Sequence, residues 1–240
     1  MAPTDQLKAF AQSVYLVIKN RYYDDLNGVD GQVYLSQVID WTNQYIDELE
    51  SEVGSNGEPI NWSWVRQNGY TLGTALLGAT SLAMPSGINN ILTDERRFVQ
   101  IIQNGKIVSD WAVVAPGDIG NVSGRPTDDA CAVTGQTIQF SRAFRDTEAG
   151  GTITGDITTP IPRLSTTNLK ALTLVKPKQL LILGVAKNAT LPDIVQGGLS
   201  PSYTQKYGDL LKNAVARNEA SMLVGIAQRD NYGYIGGVGF

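Results

Sequence analysis

The spacing of apolar residues changes twice along this 240-residue chain, and those changes limit the folds open to it. Residues 4–50 place apolar side chains every three or four positions, the period of amphipathic helices. From residue 61 to about residue 164, short β-rich runs replace that period. Helical spacing returns after Pro177. The order of helix, strand and helix predicts an α+β fold.

Two amphipathic helices are predicted within residues 4–50. The acidic and amide residues of the second helix fall mostly on the side opposite its apolar stripe, so an antiparallel pair with polar outer surfaces is expected. The apolar positions are Leu7, Phe10, Ala11, Val14, Val17 and Ile18 in the first helix, and Leu35, Val38, Ile39, Thr42, Tyr45, Ile46 and Leu49 in the second.

The segment between these helices, YYDDLNGVDGQVYL (residues 22–35), has the composition of a calcium-binding loop. An EF-hand loop needs Asp or Asn at positions one, three and five, glycine at six and an acidic residue at twelve. Counted from Asp25, position six is Asp30, and Gly31 comes one residue late. Position twelve is Ser36. The spacing therefore predicts a helix–helix turn and not a metal site.

The middle of the chain carries two hairpin signals. Asn104-Gly105 lies between two β-rich runs, and both residue types tolerate the positive φ that a two-residue turn requires. Gly135-Gln136 marks a second hairpin. Between the hairpins, residues 115–130 are predicted to form a long loop or arm, and loops of that length are usually functional or disordered.

The end of the chain is predicted to contain two more helices and a tail. The apolar run after Pro177 fits a buried helix, and Ser200 with Pro201 supplies an N-cap and a first-turn proline for the next one. The face of that last helix carries Tyr203, Tyr207, Leu210, Leu211 and Val215. The segment that follows is rich in glycine and aromatic residues and is expected to require a partner.

Four regions follow from these patterns. They are an N-terminal helix pair at residues 1–55, a mostly antiparallel β domain at 56–165 with its arm at 115–130, C-terminal helices at 166–222, and an extended tail at 223–240. We expect the N-terminal and C-terminal helices to form a helical bundle into which the β domain is inserted.

Composition excludes several kinds of site. The chain has no histidine, which removes the commonest general base and the usual zinc ligand. Its one cysteine, Cys131, cannot form an internal disulfide and is predicted to be a small buried residue. The net charge of −4 argues against sequence-specific DNA binding. Neither a signal peptide nor an apolar run of about 20 residues is present, so no membrane partner is expected.

Two sets of residues are candidates for chemistry or binding. Asp128-Asp129 and the acidic residues of the second predicted helix are able to pair as an acid/base couple, although surface acids are more often solvated. The aromatic residues of the β-rich zone are able to stack on a sugar or a base, but such residues more often lie in a core or interface. These aromatic residues are Trp62, Trp64, Tyr70 and Trp111. No catalytic, metal or cofactor site is predicted.

Three stretches resemble the head–tail adaptor proteins, also called head-completion or connector proteins, of tailed bacteriophages. They are YYDDLNGVDGQVYLSQVIDWTNQYIDELE, WVRQNGYTLGTALLGATSLAMPSGINNILTDERRFVQIIQNGKIV and PKQLLILGVAKNATLPDIVQGGLSPSYTQKYGDLLKNAVARNEA. Together they cover most of the chain. Two segments have no counterpart in the family pattern: the 115–130 arm and the extended segment TEAGGTITGDITTPIPRL.

The resemblance implies a structural virion protein without enzymatic activity or cofactors. Its copies would form a ring, commonly dodecameric, in the virion neck between the portal protein and a tail or nozzle protein. The chain would be made in the host cytoplasm, and genomic DNA would pass through the ring without sequence recognition. An acidic chain suits such passage because it repels phosphate. The tail residues Tyr232, Tyr234 and Phe240 are predicted to contact the portal.

Two other functions remain open. Long hairpins and an arm also suit another neck, tail-completion or tail-tube subunit. A carbohydrate-binding or hydrolytic module would instead use the tryptophans and acidic residues.

Overall fold

The computed structural model describes residues 3–54, 57, 60, 62–88, 90–92, 98–119, 129–189 and 199–230. The chain divides into two compact units. The first unit consists of Met1–Trp64 and Ile161–Phe240, and the second consists of Val65–Pro160. Both helices and a β-sheet are present, so the predicted α+β class is confirmed.

The helices of the first unit lie at both ends of the chain. They are α1 (Pro3–Lys19), α2 (Val29–Ser51), α3 (Ala171–Leu174), α4 (Lys178–Asn188) and α5 (Pro201–Asp230). A 3-10 turn, Ser63–Val65, spans the point where the chain passes from one unit to the other. The two helices predicted within residues 4–50, the buried helix after Pro177 and the helix that starts at Pro201 are all confirmed.

Helix α4 lies at the centre of the first unit, where it contacts α1, α2 and α5. Six of its eleven residues are buried, which agrees with its nearly continuous apolar sequence. Gly184 lies against the ring of Tyr45 from α2, and a Cβ atom at Gly184 would be 2.1 Å from Cζ of that ring. Only glycine therefore allows α2 and α4 to pack this closely.

The segment between α1 and α2 is the predicted turn. The Asn27 backbone N–H donates a hydrogen bond to Oδ1 of Asp25 (2.8 Å), which closes a local Asx turn. A Cβ at Gly31 would lie 2.3 Å from the carbonyl oxygen of Asp25, so this glycine lets the turn pack directly on the first turn of α2. The late position of that glycine in the sequence therefore has a packing explanation.

Helix α5 is longer than the sequence patterns indicated. Residues 223–230, predicted as the start of an extended tail, continue the helix to Asp230. These eight residues contain no proline and a single glycine, so no residue in them stops a helix. Residues 231–240 lie outside the described part of the chain.

The second unit is built on a sheet of eight strands. They are β1 (Arg66–Thr74), β2 (Ser81–Ala83), β3 (Asn90–Ile91), β4 (Phe98–Gln103), β5 (Lys106–Val113), β6 (Ala130–Thr134), β7 (Thr137–Phe140) and β8 (Thr152–Thr158). The order is β1-β8-β4-β5-β6-β7-β2, with β3 also paired to β8. All pairs are antiparallel except β5 with β6, so the sheet is mixed.

Both predicted hairpins are present. Asn104 and Gly105 have φ of 51° and 73° and join β4 to β5, as expected of a two-residue turn with positive φ at both positions. The second hairpin joins β6 to β7, with Gly135 at φ 60°. Within the predicted arm at 115–130, Pro116–Asp118 form a short 3-10 turn, and residues 120–128 lie outside the described part.

The sheet is curled, so that its two edge strands approach each other. β1 and β2 lie at opposite ends of the strand order, yet only residues 75–80 connect them. A Cβ at Gly73 of β1 would lie 2.8 Å from Cδ1 of Leu82 in β2, which shows how close the two edges come. Curling encloses an apolar core that includes Trp111, Ile101 and Ile153, and it covers edges that would otherwise be open to aggregation.

The Gly184 contact makes a stability prediction. Gly184→Ala should lower the free energy of unfolding of the first unit by about 3 kcal/mol, because the added methyl group overlaps the Tyr45 ring. Gly208→Ala is the matched control, since a Cβ there meets nothing within 4 Å and α5 should gain up to about 1 kcal/mol. Urea denaturation followed by far-UV circular dichroism measures both. Equal stability of the two variants would contradict the packing described for α4.

Candidate interaction surfaces

The described residues contain no group of three or more His, Cys, Asp or Glu side chains arranged to hold a metal ion. Within the same part of the chain, no helix combines the length and the apolar character needed to cross a membrane.

The candidate carboxylate Asp129 forms part of an ion-pair cluster in the second unit. The Arg142 guanidinium pairs with the Asp129 carboxylate and donates to Oε1 and Oε2 of Glu148 at 2.7 and 2.8 Å. Arg142 also lies over the Trp111 ring, 4.4 Å from its centroid. The other candidate, Asp128, lies outside the described residues.

Glu148 is the buried member of this cluster, with 3% of its surface exposed. Its hydrogen bonds from Arg142 lower the pKa of the carboxyl group to about 2, against the opposing effect of burial. The Arg145 backbone N–H donates a further bond to Oε2 at 2.8 Å. The cluster ties the end of β7 to the turn before β8, so we assign these charges a structural role.

The candidate aromatic residues divide between core and surface. Trp62 and Trp111 are 1% and 0% exposed, so the prediction that such residues lie in a core is confirmed for both. Trp62 also donates from Nε1 to the Leu49 carbonyl at 2.8 Å. Trp64 is half-buried and stacks on Trp62, with ring centroids 4.4 Å apart, and Tyr70 is also half-buried.

Cys131 is fully buried in the sheet, as predicted. Burial raises the pKa of its thiol to about 12, so the side chain is a neutral thiol at physiological pH.

The exposed large apolar side chains among the described residues of the second unit lie near one end of the sheet. We name these residues the apolar tip: Leu76, Leu77, Ile107 and Val108, with 66%, 63%, 54% and 41% of their surfaces exposed. Leu76 and Leu77 follow the end of β1, and Ile107 and Val108 lie at the start of β5, next to the β4–β5 turn. Exposed aliphatic side chains grouped in this way indicate a candidate contact surface.

The strand register places both turns at the same end of the sheet. Thr74 at the end of β1 pairs with Thr152 at the start of β8, and Thr152 pairs with Ile102 near the end of β4. Ile102 in turn pairs with Ile107 of β5. The turns are therefore about three strand spacings apart, roughly 14 Å. A bulge places Val108 opposite no residue of β4, which reorients the side chains near the hairpin.

A second exposed apolar surface lies in the first unit. We name it the α2 patch: Val29 and Val33, exposed by 82% and 54%. Val29 and Val33 are four residues apart in α2 and therefore lie on the same face of the helix. The sequence patterns did not identify either surface. For the apolar tip, the signals were the Leu-Leu pair before Gly78 and the Ile-Val pair that follows Asn104-Gly105-Lys106.

The predicted portal-contacting residues Tyr232, Tyr234 and Phe240 lie outside the described residues. No family model matches the chain, and no curated protein matches it.

The depressed pKa of Glu148 makes a prediction about acid stability. A carboxyl group whose folded pKa (about 2) lies below its unfolded value (about 4.5) stabilises the fold above pH 4.5, and this contribution is lost as pH falls toward 2. Glu148→Gln should lower the unfolding free energy of the second unit at pH 7 by about 3 kcal/mol and flatten its decline below pH 4.5. Denaturant titrations from pH 7 to pH 2.5 measure both effects.

The matched control for this prediction is Asp146→Asn, an exposed carboxylate in the same turn. It should leave both the stability and its pH dependence close to those of the unchanged protein. A pH profile that Glu148→Gln leaves unaltered would show that the cluster does not stabilise the sheet.

Proposed function

We propose that this protein is a structural, non-enzymatic head-to-tail adaptor of a tailed bacteriophage. Its copies form a dodecameric ring in the virion neck, between the portal protein and a tail or nozzle protein. Genomic DNA passes through the lumen without sequence recognition. The chain is made in the host cytoplasm and becomes part of the virion.

The observation that carries the proposal is the pair of exposed apolar surfaces, the apolar tip and the α2 patch. A ring is built by head-to-tail contacts, and each subunit must then offer two different surfaces that complement each other. The two surfaces lie in different units and differ in shape: one lies at an end of the sheet, and the other is a helix face. Both would be costly to leave in water and become favourable once a neighbouring copy covers them.

The arrangement of the helices also supports the proposal. The adaptor family that the sequence resembles has the same order along the chain: a helix pair, a mostly β middle and a second helix pair. Here helices from both ends of the chain belong to one unit around α4. The residues of the sheet lie between these helices in the sequence. We propose that these helices form the bundle of an adaptor subunit.

The net charge of −4 suits a DNA channel. A lumen with an excess of carboxylates repels the phosphate backbone, so the DNA moves through without adhering to the wall. A protein that gripped DNA would instead need clustered cations along its lining.

Another neck, tail-completion or tail-tube subunit is the alternative within the same class. Such a subunit would use the same exposed surfaces for self-association, and the two assignments differ in whether a portal protein binds. The burial of Trp62 and Trp111 removes two of the four aromatic side chains on which a carbohydrate-binding role depended.

The apolar tip makes a prediction about self-association. The double variant Leu76→Ser with Leu77→Ser should raise the dissociation constant of the oligomer at least about tenfold, because two exposed leucines would no longer be buried on assembly. Sedimentation velocity over a range of concentrations measures this. Val53→Ser, which alters an exposed valine outside both surfaces, is the control and should leave association unchanged. Association of the double variant at wild-type affinity would rule out the tip as a contact.

The segment after α5 makes a prediction about the portal. We propose that Tyr232, Tyr234 and Phe240 anchor that contact, because aromatic side chains dominate interface energies. Changing all three to alanine should abolish co-purification with the cognate portal protein. Exchanging the ring types (Tyr232→Phe, Tyr234→Phe and Phe240→Tyr) keeps the aromatic surface and should preserve it. Portal binding by the alanine variant would place the contact elsewhere.

A further inference from the structure

A cleft of about 700 Å³ lies within the first unit, outside the two apolar surfaces. Its lining comes from three segments: the 3-10 turn before the sheet, the chain from α3 into α4, and the middle of α5. Aliphatic groups form much of the wall, contributed by Leu172, Val175, Pro177, Leu210 and Ala214. This volume is within the range of sites that hold a small ligand or a few residues of a peptide.

Three cations line this cleft, and its lining includes no acidic residue. They are Lys176 and Lys178, which flank the start of α4, and Arg217 of α5, all three exposed to solvent. Such a concentration of positive charge is unexpected in a chain whose net charge is −4. The local field therefore favours an anion, and opposite charge on a partner would raise both its affinity and its rate of association.

The start of α4 adds to the positive field. α4 begins at Lys178, and no side chain caps its first turn with a hydrogen bond. The free backbone N–H groups of a helix N-terminus carry partial positive charge and bind carboxylates well. The two lysines therefore act together with the helix end.

Trp64 forms part of the cleft wall. The Nε1 atom of this cleft residue is buried and has no hydrogen-bond acceptor among the described residues. The ring is held in place by stacking on Trp62, at an interplanar angle of 8°. The Ser63 backbone N–H beside it is already satisfied, because it donates to Oδ1 of Asn218 at 2.6 Å. Because Nε1 is buried, Trp64 contributes to the cleft as a fixed part of the wall and not through this donor.

We propose that this cleft binds an acidic peptide segment that carries aliphatic side chains. Its carboxylates pair with Lys176, Lys178 and Arg217, while an aliphatic side chain packs on the apolar wall. The wall favours a peptide over nucleic acid, because aliphatic side chains complement it and phosphates do not. The net negative charge of the protein also weakens any attraction for a long polyanion. This site does not depend on ring formation or on the adaptor role.

The test uses the full-length protein and a synthetic peptide of alternating glutamate and leucine. Isothermal titration calorimetry should show saturable binding of this peptide that weakens as salt is added. The same peptide with glutamine in place of glutamate should bind at least about tenfold more weakly. Equal binding of the two peptides, no binding of the glutamate peptide, or tighter binding of a single-stranded oligothymidylate would each overturn the proposal.

Two matched double variants locate the site. Lys176→Gln with Lys178→Gln should weaken binding of the glutamate peptide about tenfold or more. Lys206→Gln with Lys212→Gln removes the same charge from exposed lysines of α5 outside the cleft and should leave affinity within about twofold. Equal losses from the two lysine pairs would show general charge attraction and contradict a specific site.

Discussion

The first unit depends on one close contact, where the backbone of α4 at Gly184 meets the ring of Tyr45 in α2. No side chain fits between them, so the two helices approach more closely than ordinary side-chain packing permits. Because α4 also contacts α1 and α5, helices from both ends of the chain bury their apolar faces against one central helix. The sheet can interrupt the sequence between α2 and α3 because the helices on either side are held together by packing and not by sequence proximity.

In the second unit, the curl of the sheet determines what is exposed. Leu82 of β2 reaches Gly73 of β1, and this contact joins edges that are distant in strand order. The strands thereby enclose their apolar faces, and the turns between them remain in solvent. Leu77 lies in the turn after β1 and Ile107 lies at the start of β5, next to the β4–β5 turn, where a soluble monomer would normally carry polar residues. Their apolar character is the main physical argument for a binding partner.

The elements with a regular local signal could be predicted from the sequence. α1 and α2 follow from the spacing of their apolar residues, and the β4–β5 hairpin follows from Asn104-Gly105, whose residue types suit positive φ. The start of α5 follows from Pro201. In each case neighbouring residues determine the conformation, so the information lies within a short window.

Features that join distant residues could not be predicted in this way. The cluster of Asp129, Arg142 and Glu148 joins positions up to 19 residues apart, and the positive cleft joins Arg217 of α5 to two lysines at the start of α4 and just before it. A search for runs of Lys and Arg misses that cleft, because its charges meet only after folding. The continuation of α5 to Asp230 was missed because glycine and aromatic content beyond it suggested a tail.

Negative-stain electron microscopy of the purified protein mixed with its cognate portal protein tests the central claim most directly. If the protein is a head-to-tail adaptor, the images should show rings with a central lumen, stacked coaxially on portal rings. Monomers that neither form rings nor bind the portal would contradict the adaptor assignment. Rings that form but do not bind the portal protein would also contradict the adaptor assignment. Such rings would assign the chain to another part of the neck or tail.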